Sequence, residues 1–177
     1  MNAPTAHTDQ LPRGLAALAE AFSVLNIAPP LVEHEAAFTV EQSQALCRDI
    51  PGVHTKNLFL KDKKGSVFLL TAPDDALVDL KTLHTRIGGR GRVSFASGEL
   101  MARHLGIAPG SVTPLALIND HERLVQCVLH PDVANAATVN VHPLRNTATI
   151  TLTGEELHRF LSHVGHPPHV LDADPAP

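Results

Sequence analysis

Asn57-Leu58-Phe59-Leu60, Lys61-Asp62-Lys63-Lys64-Gly65 and Val67-Phe68-Leu69-Leu70-Thr71 form two apolar runs around a charged turn that ends on glycine. That order is a β-hairpin signal. The entry to its first strand, His54-Thr55-Lys56-Asn57, differs from the apolar residues after it. It sets one cation, Lys56, and one carboxamide, Asn57, at the mouth of an apolar segment. Strand alternation groups Lys56 with Leu58 and Leu60 and puts Thr55, Asn57 and Phe59 on the opposite face. Asn57 shares a site with Lys56 only if the strand entry is bulged or twisted.

Helices and strands alternate outward from this hairpin. Leu15, Leu18, Ala19, Phe22 and Leu25 make one helical stripe within residues 11–25, which Pro29-Pro30 ends. A short strand is expected over 31–35. Thr39 with Gln42 opens a helix to about Asp49 as a capping box. Asp74 or Asp75 is expected to cap a helix with Leu77, Leu80, Leu83 and Ile87 inward and Gly88 after it. Strands follow at 93–96, 115–118 and 124–129, with a helix from Ser97 to Gly106. A helical turn over 131–135 precedes strands at 138–142 and 147–152. Thr153 and Glu156 open the last helix, closed by Gly165. The pattern is an α+β domain whose mixed, curved central β-sheet is flanked by helices. One domain is expected over residues 11–168, with a disordered N-terminus at 1–10 and a loose tail at 169–177.

The chain of 177 residues fits one core. No apolar run approaches the ~20 residues that span a bilayer, and no secretory signal is visible near Met1. Cys47 and Cys127 lie far apart without metal-type spacing, so a reduced, cytoplasmic protein is expected. Net charge is −4, yet residues 56–92 carry eight Lys and Arg against four Asp. That local +4 on an acidic body suits a local phosphate contact better than general coating of nucleic acid. Its ordinary reading is a solvated surface.

Gly110-Ser111-Val112-Thr113-Pro114 is by itself a turn opening the next strand, with glycine free in its backbone angles and proline stiffening the exit. Lys56 by itself is a snorkelling lysine. His130, at a strand end before Pro131, fits a general base, a pocket wall or a satisfied structural residue. His163, His166 and His169 are regularly spaced, but Pro167-Pro168 break the helix that would align them, so no metal site is expected. Ser94, Ser97 and Ser111 lack a nucleophile-elbow context. Cys47 and Cys127 read as packing residues.

Taken together, the Thr55-Lys56-Asn57 entry and the Gly110–Pro114 loop resemble the YbaK/ProX family of aminoacyl-tRNA deacylases, relatives of the editing domain of bacterial prolyl-tRNA synthetases. The likeness runs from about Leu25 to Pro168 and is nearest the free-standing ProXp-ala, PrdX-type branch. It implies a trans-editing hydrolase that removes alanine from mischarged tRNA(Pro). Cys-tRNA(Pro) or another small aminoacyl-tRNA is the alternative substrate, and a non-catalytic tRNA-end binding module is the alternative of another class. The family's near-invariant lysine falls on Lys56 and its asparagine on Asn57. Its GxxxP loop falls on Gly110, Ser111 and Pro114, whose backbone would orient the ester and the terminal ribose.

The resemblance also implies that the ribose hydroxyl beside the ester assists attack, with no cofactor or metal. The expected catalytic set is Lys56, Asn57 and Gly110. The substrate would meet Ser111, Pro114, His130, Thr55, Phe59, Leu31 and Ile27, with Leu25 and Phe38 as further candidate walls. Lys61, Lys63, Arg90 and Arg92 are candidates for the tRNA acceptor end. Transient association with prolyl-tRNA synthetase is a further expected contact. No membrane and no DNA partner is expected.

Overall fold

The hairpin forms the centre of the sheet. In the computed structural model, which describes residues 11–172, β2 (Val53–Lys61) and β3 (Val67–Pro73) pair antiparallel from Thr55↔Pro73 to Lys61↔Val67. The expected disorder of residues 1–10 lies outside the described residues. Asp62 fixes the turn between the strands. Its Oδ1 accepts the main-chain N–H of Lys64 and of Ser66, each at 2.9 Å, and its Oδ2 accepts that of Arg90 at 2.7 Å. These donors, Arg90 first, hold its carboxyl below the usual carboxylate range.

The remaining strands are β1 (Leu31–Glu33), β4 (Ser94–Phe95), β5 (Val125–Leu129), β6 (Val139–Val141), β7 (Ala148–Leu152) and β8 (His169–Val170). Among the described residues the order is β1-β7-β6-β2-β3-β5-β8, with β4 also on β2. The β2–β6, β3–β5 and β5–β8 pairs are parallel and the others antiparallel. The sheet is therefore mixed, as the alternation of elements predicts.

Both faces of the hairpin are covered. Phe59, Val67 and Leu69 join a large core with Cys127, Leu129, Leu115, Leu117 and Phe160. Leu60, Phe68 and Leu70 enter a smaller one with Val128, Leu83, Ile87 and Leu171. Period-two alternation sends successive residues of β2 and β3 to opposite cores, so β3 is buried along its whole length. The helices are α1 (Leu15–Leu25), α2 (Val40–Cys47), α3 (Leu83–Ile87), α4 (Gly98–Leu105), α5 (Pro131–Ala134) and α6 (Gly154–His163). α6 starts on the capping box of Thr153 and Glu156, and α4 on Ser97.

Three expectations are corrected. Residues 115–118 are not a strand: Pro114–Asn119 is a 3₁₀ helix, with Thr113 Oγ1 accepting the Leu115 N–H and proline in the first turn, where its missing donor is harmless. The helix expected from Asp74 is only its last turns. Leu77 is 96% exposed, and Asp79, not Asp74 or Asp75, accepts the Lys81 N–H and the Thr82 hydroxyl ahead of α3. The tail from residue 169 is not loose at its start, because β8 extends β5 and Leu171 is buried.

Candidate functional site

β2 is partnered unequally on its two edges. One edge is paired with β3 from Thr55 to Lys61. The other meets β6 only at Val53 and His54 and β4 only at Leu60 and Lys61. Between these lies a gap. The His54 carbonyl accepts the Asp74 N–H at 2.8 Å on the β3 side, whereas the Phe59 carbonyl accepts the Ala96 N–H at 2.9 Å on the far side. Successive residues direct their main-chain groups to alternate edges. The N–H and C=O of Asn57 therefore point into the gap.

A cleft of ≈ 230 Å³ opens beside the gap, lined by Thr55, Lys56, Asn57 and Leu58 in succession, with Ala37, Phe38, Thr39, Val40, Ser43, Asp74, Gly110, Val112 and His142. Four consecutive strand residues reach one cleft because the edge is unpaired there and this end of β2 is only partly buried. No bulge is needed to bring Lys56 and Asn57 together. The Lys56 ammonium donates to the Ala76 carbonyl. Asn57 Oδ1 accepts the Thr71 hydroxyl at 2.7 Å, which fixes the amide and leaves its NH₂ as the available donor. Thr55 Oγ1 donates to the Asn140 carbonyl at 2.8 Å. Gly110 adopts φ +89, and a β-carbon there would lie 3.2 Å from Phe38 Cδ1.

The other candidates stand elsewhere. Ser111 and Pro114 are buried and do not line the cleft. Phe59 is in the large core, its ring edge-on to His104 at 6.5 Å, and Ile27 is in the same core. Leu31 is 49% exposed on β1. His130 caps α5, its Nδ1 accepting the Asp132 N–H at 3.2 Å. Its N–H donates to the Thr71 carbonyl, on the β5 side of β3 and away from the gap. Lys61 and Lys63 lie at the hairpin tip, and Gly91, between Arg90 and Arg92, packs against the Lys63 stem. Lys61 is five residues along β2 from Lys56, about 17 Å at the usual strand rise. The basic group is thus a separate surface from the cleft.

His142 was missed. It directly follows β6, and continuing the register Val53↔Val139, His54↔Asn140 sets it beside Lys56. The His-Pro dipeptide at a strand end is shared with His130-Pro131, so only the parallel pairing of β6 with β2 distinguishes them. His142 Nδ1 faces the Ala148 carbonyl at 2.9 Å and therefore carries the proton. Burial, with a smaller effect from the nearby His34, holds its pKa below the ordinary 6.5. Its neutral ring leaves Nε2 as a proton acceptor. Behind the cleft is a polar recess of ≈ 10 Å³ lined by Ser43, Cys47, His54, Thr55, Asn140, Val141, His142 and Thr149. That is room for about one water-sized group.

Among the described residues no group of three or more His, Cys, Asp or Glu is placed to hold a metal ion. None of their helices is long and apolar enough to cross a membrane. An anchored cation, main-chain and amide donors and a neutral imidazole around an open cleft can polarise a carbonyl and take a proton from its attacker.

Residues 34–160 match the model of the aminoacyl-tRNA editing domain. The prolyl-tRNA synthetase associated domain-containing protein 1 of Danio rerio is 38% identical over 159 residues, 89% of this chain and 86% of that protein. The prolyl-tRNA editing protein ProX of Acetoanaerobium sticklandii is 35% identical over 145 residues, 80% of this chain and 87% of that protein. A crystal structure described as a candidate trans-editing enzyme for prolyl-tRNA synthetase superposes with a TM-score of 0.66 at 20% identity, over 93% of this chain and 99% of that one.

Proposed function

Because this chain belongs to the aminoacyl-tRNA editing domain family, the YbaK/ProX family, we propose that it is a free-standing trans-editing hydrolase that removes alanine from mischarged tRNA(Pro). The observation that carries the proposal is the cleft beside the gap in the β2 ladder, where Lys56, Asn57, Gly110 and His142 meet. The names of two relatives refer to prolyl-tRNA editing and to prolyl-tRNA synthetase, which supports tRNA(Pro) as the carrier and the synthetase as a transient partner.

The aminoacyl ester is already activated, so positioning and charge stabilisation suffice. The ester carbonyl lies against the Asn57 donors and the Lys56 ammonium. Water, oriented by the free ribose hydroxyl, attacks the carbonyl carbon and gives its proton to His142 Nε2. The new C–O bond leaves an oxyanion, held by the same donors. Collapse breaks the bond to the ribose oxygen, which takes the proton from the imidazolium. The products are the free amino acid and intact tRNA.

The recess behind His142 supports a small side chain. It admits about one small group, and a proline ring exceeds it. A deacylation panel of tRNA(Pro) charged with Ala, Ser, Cys and Pro tests this reading. Alanine should be released fastest and proline retained. Preferential release of cysteine would reassign the substrate, and release of none would leave a tRNA-end binding module.

A further inference from the structure

Phe38 is an apolar ring left uncovered on a pinned backbone. It lines the cleft yet is 69% exposed. Its own N–H donates to Gln42 Oε1 at 2.9 Å, and the preceding Ala37 is bonded to Asn146 in both directions, at 3.4 Å through its N–H and 3.1 Å through its carbonyl. A β-carbon at Gly110 would lie 3.2 Å from its Cδ1 and 3.9 Å from its Cε1, so the ring turns that edge toward Gly110. Scattered exposed apolar residues need no explanation. This one stands at the mouth of the cleft, and it is the single phenyl ring in its lining.

Resting on the deacylase reading, we propose that Phe38 is the stacking platform for the terminal base of the tRNA acceptor end. An ester held at Lys56 and His142 sits on a ribose whose base is one glycosidic bond away. The base must therefore leave the reacting centre at the mouth, where it meets the open ring. Stacking needs only a π-face, while the phosphates run toward the basic hairpin tip. Gly110 then has a second use, because any side chain there would push against the ring edge.

The test compares acceptor-stem minihelices that end in adenosine or in an abasic nucleotide. Equilibrium binding of the uncharged minihelix and deacylation of the alanylated one are both measured, for wild type, Phe38→Ala and Phe38→Tyr. Phe38→Ala should weaken binding of the adenosine-ended minihelix by about 5- to 150-fold, the range that one base on one aromatic ring supplies. KM should rise more than kcat falls, Phe38→Tyr should retain binding, and the abasic end should be indifferent to all three. Equal losses on both ends would make Phe38 a pocket wall, and no loss on either would leave the ring to another partner; each result overturns the proposal. A wild type that binds in this Phe38-dependent way but releases no amino acid would overturn the deacylase reading and leave the stacking site standing.

Discussion

Gly110→Ala separates backbone strain from site geometry. Gly110 and Gly65 have nearly the same φ, +89 and +88, but a β-carbon at Gly65 meets nothing within 4 Å, while one at Gly110 lies 3.2 Å from Phe38 Cδ1 and 3.7 Å from Asn146 Nδ2. The backbone term is common to both, about 1–2 kcal/mol for an L-residue held left-handed. At ~2–4 °C per kcal/mol for a domain of this size, Gly65→Ala should lower Tm by roughly 2–8 °C. Gly110→Ala should lower it further, because the added methyl wedges between the ring and the amide that pin residues 37–38. Positioning errors of ~1 Å reach 10²-fold in rate, so kcat/KM should fall about 10- to 100-fold in Gly110→Ala and little in Gly65→Ala. Phe38→Ala introduced beside Gly110→Ala should recover the excess loss in Tm, a coupling of ~0.5–3 kcal/mol. Thermal melting and Ala-tRNA(Pro) deacylation of the four variants, the Phe38→Ala single variant included, provide the readouts. Equal activity losses at Gly65 and Gly110, or no coupling to Phe38, would refute the reasoning.

Lys56→Ala should reduce kcat about 10²- to 10³-fold, the loss expected for one group stabilising a developing oxyanion, with circular dichroism and melting near wild type; an active, folded variant would remove Lys56 from the mechanism. The pH profile of kcat/KM should have an acid limb below 6.5, the ordinary value from which burial lowers His142. Activity is full while the ring is neutral and is lost as pH falls through the lowered folded pKa, and His142→Gln should abolish that limb along with most of the rate. The same shift makes the unfolded chain bind its proton first, so native stability should decline as pH drops below 6.5 and level off below the folded value. Replacing Lys61, Lys63, Arg90 and Arg92 with Ala should weaken tRNA binding and flatten its salt dependence, with a smaller change in rate at saturation; unchanged low-salt affinity would leave this face merely solvated. Deacylation should persist after exhaustive chelation and in the Cys47→Ala, Cys127→Ala double variant, since both thiols are buried and burial pushes Cys127 up to about 12; loss on chelation that zinc restores would contradict this.

Local chemistry made much of this architecture legible. The hairpin, the capped starts of α2, α4 and α6 and the Gly88 end of α3 were readable because each depends on residues close in sequence. Asp74 and Asp79 offer the same carboxylate, and only the packing of residues 74–82 selects the later one. Pro114 suits the first turn of a helix as well as a loop, so the 3₁₀ helix competed evenly with a strand. β8 depends on a parallel partner some forty residues away, which no local pattern encodes. At the site, Lys56 and Asn57 stood out as polar residues entering an apolar run. His142 did not, because its meaning comes from β6 lying parallel to β2. Phe59, Ile27 and Leu31 have pocket-like chemistry, but the fold puts the first two in the core and Leu31 on the edge strand β1.

The unequal edges of β2 also bear on how such a protein can diverge. One edge carries the continuous ladder with β3, and the other carries the gap and its cleft. On the proposed function, the central ladder and the chemistry use opposite edges of the middle of this strand. Substitutions at Ser43, Val112 or Phe38 can reshape the cleft without breaking a rung of the central ladder.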